Sequence, residues 1–126
     1  MKKAILAARV LLGAVFLIFG LNYYLKFIPI PPPENALAGS FIGTLFKSGF
    51  LEVVKIIEIV GGLLLLSGRF APLGLALLAP IVIVILLYDI FLAGAFNPAG
   101  TLVLALSAFL AWAWRGNYLP LLQPPR

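Results

Sequence analysis

Long apolar stretches alternate with short polar or proline-bearing breaks along this chain. Apolar runs extend over about 4–27, 50–68, 71–92 and 99–115, each close to the length a helix needs to cross a bilayer. Between the first two, Pro29, Pro31, Pro32 and Pro33 forbid helix and call for a stiff, extended connection. From about 34 to 47 the chain then places Leu37, Phe41, Leu45 and Phe46 among small and polar residues. That segment is too short to span and reads as an amphipathic helix lying in the interface over the mouth of the bundle. The predicted fold is therefore all-α: an integral membrane four-helix bundle with a short interfacial helix between the first and second transmembrane helices. No internal repeat or domain boundary is evident, so residues 1–126 form one domain.

The breaks carry their own signals. Met1-Lys2-Lys3 before an apolar run resembles a signal peptide, but the run continues to about Ile28 without a small-x-small cleavage site, so it reads as a retained first span. Gly13, Phe16, Gly20 and Phe27 share a face with Arg9, whose expected role is to snorkel to the headgroups. Tyr23, Tyr24 and Lys26 suit an interfacial belt, as do Trp112, Trp114 and Arg115 at the end of the fourth span. Gly68 can end the second span in a left-handed conformation, and Pro72 suits the first turn of the third. Pro80 predicts a kink in the third span that opens space toward the bundle axis. Gly94 to Pro98 reads as a tight turn, and the tail beyond Gly116 as non-helical or only briefly helical.

The second span, FLEVVKIIEIVGGLLLLSGRF, is the exception to the apolar rule. Glu52, Lys55 and Glu58 recur every three residues, and at about 100° per residue they fall on one helix face together with Gly62. Each charge near a helix centre costs roughly 2.5 to 3.5 kcal/mol on insertion, whereas each Leu, Ile, Val or Phe returns only about 0.3 to 0.6. That face must therefore meet protein or water, and the other spans serve to enclose it.

Composition changes the picture by exclusion. With 63% hydrophobic and 10% charged residues, the chain is far from a soluble domain of its length. The net charge of +5 does not point to nucleic acid, because the basic residues sit at helix ends and not in a patch. With both termini cytoplasmic, Lys2, Lys3, Arg9, Arg69, Arg115 and Arg126 fall inside, and only Lys26 and Lys47 outside, which favours that orientation; the expected location is a cell membrane, a bacterial inner membrane, crossed several times. The chain has no cysteine and no histidine, so it offers no thiol chemistry, no metal site of the usual ligands and no His-ligated haem; no catalytic motif is recognised.

This topology gathers the candidate binding residues in the outer half. Glu52, Lys55, Tyr88, Asp89 and Asn22 fall there with Ser48, Asn97 and Thr101, while Glu58 lies deeper, near mid-depth. Helix rise places Lys55 about 7 Å and Asp89 about 5 Å below the outer ends of their helices, so Lys55 is expected to pair with Asp89 or Glu52. Glu58 then has no dedicated cation and is expected to border an internal cavity. Such a polar cluster suits either a buried network that fixes helix order or a site for an amphiphilic small molecule or a proton path.

The runs GAVFLIFGLNYYLKF, EIVGGLLLLSGRF-AP and LLAPIVIVILLYDIFL, with a Trp-bearing last helix, resemble the DoxX family of small four-helix membrane proteins over most of the chain. That resemblance implies an accessory role in quinone-linked electron transfer, or membership of a redox-stress complex; similar folds occur in membrane chaperones and cargo receptors. Glu58 is the polar position carried over. The chain departs from the family pattern at Asp89, where His is expected, and at Val84, where Asn is. Two functions stay open: a quinone-linked accessory holding a headgroup by Glu58, Lys55 or Tyr88, or a non-enzymatic partner of a membrane or exported protein whose buried charges are structural.

Overall fold

The computed structural model describes residues 1–27, 35–93 and 98–124. The proline run, Glu34, the turn Gly94 to Asn97 and Arg126 lie outside the described residues, and with them the extended connection and the place of Asn97 in the polar cluster. The rest is all-helical, with no strand among the described residues. Helices α1 (Lys2–Leu25), α2 (Ala36–Ser48), α3 (Phe50–Ser67) and α4 (Ala71–Leu87) are followed by a π-helical turn (Tyr88–Ala93). Then come α5 (Pro98–Ala113), the single turn α6 (Arg115–Tyr118) and a 3-10 turn (Leu119–Leu122). Two helices, Lys2–Leu25 and the continuous Ala71–Leu92, are long and apolar enough to cross a membrane. α3 carries three charges in 18 residues, and α5, of 16 residues, bends by 73° into Arg115–Leu122.

Local chemistry sets the helix ends. Asn35 Oδ1 accepts the Leu37 N–H at 2.8 Å and satisfies one of the free donors at the start of α2. Gly49, at φ +83°, turns the chain directly from α2 into α3, with Ser48 Oγ accepting the Phe50 N–H at 3.3 Å.

Close approach of backbones organises the packing. A Cβ on Gly62 would lie 2.9 Å from the Gly13 carbonyl oxygen and 3.0 Å from the Leu17 nitrogen, so α1 and α3 cross where neither helix has a side chain. Gly20 faces Ile59 further along, and Arg9 faces the other end of α3, so the two helices run antiparallel. Gly74 of α4 approaches the Gly61 carbonyl in the same manner on the next side of α3, again antiparallel. α5 closes the arrangement against α4 and α1. One end of the α4–α5 seam is held where Asp89 meets Gly100, the other where the Tyr118 hydroxyl donates to the Pro72 carbonyl at 2.7 Å.

Arg9 does not snorkel outward. Its Nη1 donates to the Leu65 and Leu66 carbonyls at 2.6 and 3.0 Å, two of the last acceptors of α3, which lack partners within their own helix. The half of the molecule at this end is densely packed around Leu12, Leu65, Leu78 and Leu110, all 0% exposed. Outward faces are equally apolar, with Leu6, Ile18, Val53, Leu63, Leu73 and Ile83 all exposed. The opposite half, near α2 and the π-helical turn, holds Lys55, Glu58, Tyr88 and Asp89 and the cavity they line; a shallow apolar groove among Val60, Leu63, Leu64 and Phe70 lies on the outward face at the other end of α3.

Candidate functional site

Two side chains from α3 begin the site. Lys55 and Glu58, three residues apart, stand on one helix face, and the Lys55 ammonium lies 3.1 Å from Glu58 Oε2. Glu58 is buried, at 5% exposure, whereas Lys55 keeps partial access. At that distance the ammonium is both the counter-ion and the available donor of the buried oxygen.

The end of α4 supplies the facing wall. There the helix passes into the π-helical turn, which begins at Tyr88 and Asp89. Such a turn adds a residue per turn and redirects the side chains that follow; it recurs at functional sites. Asp89 is buried, and its carboxylate lies against Gly100 in the first turn of α5, where a Cβ would have no room. The positive end of the α5 dipole favours a carboxylate at that point. Tyr88 is half-buried and its ring lies 5.8 Å from that of Phe41 on α2, tilted by 36°.

These walls line a cleft of about 430 Å³ between α2, α3, α4 and the π-helical turn, open along the exposed side chains of Phe50 and Val84. Lys55, Glu58, Tyr88 and Asp89 supply its polar lining; the rest is apolar, including Phe41, Leu45, Val54, Ile81 and Val84. The volume falls within the range of small-molecule sites, which combine an apolar wall with a few convergent polar groups. Pro80 lies in the wall, where the sequence reading put extra space. A second cavity of about 200 Å³ opens on the other side of the ion pair, among Phe16, Phe19, Ala99, Gly100 and Val103, and it too is lined by Lys55, Glu58 and Ile85. The pair thus stands between two chambers.

Four of the six residues proposed from sequence meet at the larger cavity, and two do not. Glu52 is exposed and does not line either cavity, although its neighbour Leu51 lines the larger one, so its side chain leaves α3 on an outward face. Asn22 is buried in α1 and likewise away from both linings. Lys55 was expected beside Asp89 or Glu52; its partner is Glu58, so the deep carboxylate does have a cation. Depth alone suggested Asp89, but helix rotation turns Asp89 toward α5. Ser48 is exposed and engaged at the α2–α3 corner, and Thr101 is exposed on α5.

Sequence reasoning missed Phe41 as a partner of Tyr88, Gly100 as the seat of Asp89, and the second cavity. The three-residue spacing of Lys55 and Glu58 was a visible signal for their pairing. No such signal marks the π-helical turn. Comparison with known proteins finds no matching family model and no match among curated proteins or solved structures.

Proposed function

We propose that the chain is a four-span membrane protein of DoxX-like architecture that holds an amphiphilic small molecule in the larger cavity. Its polar headgroup lies against Lys55, Glu58, Tyr88 and Asp89, and its tail among the apolar walls. The observation that carries this reading is the convergence of those four side chains on one otherwise apolar chamber. Four spans are supported by the antiparallel packing of α1, α3, α4 and α5 and by the apolar outward faces. The 18 residues of α3 rise about 27 Å, close to the roughly 30 Å of a hydrocarbon core, and its charges turn inward at Lys55 and Glu58. α2 lies in the interface as a cover over the chamber, and both termini are cytoplasmic in a bacterial inner membrane, as the basic residues favour.

A quinone is the ligand class the DoxX resemblance suggests, with the protein acting as an accessory of quinone-linked electron transfer; Asp89 in place of the family's His removes one group that such chemistry would use. The alternative is a non-enzymatic partner of a membrane or exported protein, favoured by one observation: Lys55 and Glu58 satisfy each other's charge within a single helix, which a structural pair also does.

Mass spectrometry of small molecules retained after mild solubilisation separates the two. Val84 lines the cavity and is otherwise exposed, so Val84→Trp fills the chamber at little cost to the core. The wild type is expected to retain a defined amphiphile that Val84→Trp loses. The same lipid profile in both would remove the binding function.

A further inference from the structure

Building on the four-span part of that reading, and independently of what the cleft holds, we infer that the chain binds an anionic phospholipid in the groove on the outward face of α3, its phosphate on Arg69 and one acyl chain along the helix toward Val60. The groove measures about 460 Å³ and is lined by Val60, Leu63, Leu64, Ser67, Arg69 and Phe70. Its polar residues are all at one end. Ser67 closes α3 and Arg69 follows it, whereas Val60 and Leu63, both exposed, carry the apolar wall back along the helix. From Val60 to Ser67 the helix rises about 10 Å, so the groove runs from the membrane surface into one leaflet. A cationic rim over an apolar trough has the order of a phospholipid, charge at the surface and chain below it.

The charges around the groove call for a headgroup of net negative charge. Arg69 is exposed, its Cζ 5.5 Å from the centre of the Phe70 ring, and it makes no hydrogen bond or ion pair with any described residue. Its fork of N–H groups suits a phosphate, which can take two of them at once. Ser67 does not compete as a donor, because its hydroxyl already donates to the Leu64 carbonyl at 2.8 Å. Arg9 shields an anion from the negative end of α3, since its guanidinium covers the Leu65 and Leu66 carbonyls. Antiparallel packing brings Lys2, Lys3 and Arg115 to this same end, and no described carboxylate lies there. Glu52 and Glu58 stand in the first half of α3, and Asp89 in the π-helical turn. This end thus has a surplus of cations that its surroundings must neutralise. In a bilayer those surroundings are headgroups, and basic pockets beside membrane helices favour anionic ones. A zwitterionic lipid offers Arg69 the same phosphate but brings its own cation into the surplus.

Two lipids with identical dioleoyl tails, phosphatidylglycerol and phosphatidylcholine, are offered in equal amounts to the full chain in detergent, and those that stay bound are counted by native mass spectrometry. The wild type is expected to retain the anionic lipid about fivefold over the zwitterionic one, the usual worth of one basic residue at an anionic surface. Arg69→Gln should bring the ratio to about twofold or less, whereas Lys3→Gln, exposed at the same end but outside the groove, should leave it unchanged. Leu63→Trp fills the groove from an exposed position and should lower retention of both lipids severalfold, while Val84→Trp, in the cleft, should not. Arg69, Lys3 and Leu63 all lie outside the core, so each variant is expected to fold. Equal retention of the two lipids by the wild type overturns the site. Equal loss of preference in Arg69→Gln and Lys3→Gln overturns it too, and assigns the preference to the basic end at large. Retention of the anionic lipid that falls in Val84→Trp and not in Leu63→Trp also overturns it, and leaves the cleft as the binding site. The count is made in detergent and is separate from any test of the four spans, so either can fail alone.

Discussion

At the scale of single residues, Gly62 governs how closely α1 and α3 approach. A methyl group there would meet backbone atoms, the Gly13 carbonyl oxygen at 2.9 Å and the Leu17 nitrogen at 3.0 Å, and backbone cannot rotate aside as a side chain can. Gly62→Ala is expected to destabilise the protein by about 1 to 3 kcal/mol, the usual cost of overpacking. Gly39 on α2 is the matched control, since a Cβ there meets nothing within 4 Å. Gly39→Ala should be neutral, or stabilising by up to about 1 kcal/mol through helix propensity. Thermal unfolding of both variants in detergent checks the pair, and equal effects would mean that the crossing is looser than its geometry implies. The same crossing bears on the site, because it holds the α3 face that carries Glu58 against α1 and so fixes which way the carboxylate points.

At the scale of elements, the short C-terminal turns fasten one end of the α4–α5 seam through a single hydroxyl. Tyr118 donates to the Pro72 carbonyl at 2.7 Å, and burial pushes its phenol from 10.0 up to about 12. A pKa raised in the folded state means that the folded form holds its proton more tightly. This contribution is complete below about pH 10 and is lost as the pH rises through about 12. Tyr118→Phe should lower stability by about 1 kcal/mol at neutral pH and flatten the alkaline fall over that window, as read from unfolding temperatures across it. Elements also mark where the sequence was and was not legible. Hydrophobic length and the breaks at Ser48-Gly49 and Gly68 gave helices whose ends lie within a few residues of α1 to α5, because helix termination is local chemistry. The polar face of α3 was equally legible, since a spacing of three is visible on a helical wheel. Pairing across helices was not: it depends on how each helix is rotated against its neighbours, and Asp89, four residues beyond Ile85 on the same face, is turned with it toward Gly100 of α5. Arg9 was misread for a related reason. Its reach to the α3 carbonyls exists only once Gly13 and Gly62 have brought the two helices together.

At the scale of the whole molecule, the antiparallel order fixes which end of the bundle each segment occupies. Arg9 meets the end of α3 while Gly20 meets its middle, and Tyr118 meets the start of α4 while Gly100 meets the π-helical turn at its end. α2 therefore sits at the end that holds the cavities lined by Lys55 and Glu58, and the C-terminal turns sit at the opposite end. If α1, α3, α4 and α5 all span, these two ends lie on opposite faces of the membrane. Ser40 on α2 and Gln123 after the last turn are both exposed, and the chain contains no cysteine, so a single Cys at either position is an unambiguous reporter. In right-side-out vesicles an impermeant maleimide is expected to label Ser40→Cys directly, and Gln123→Cys only after permeabilisation, because the basic residues gather at the Gln123 end. Labelling of both from one side would overturn the four-span reading. Labelling of each from the side opposite to that expected would keep the four spans and invert the orientation, so that the Lys55–Glu58 chamber, with α2 across it, opened toward the cytoplasm.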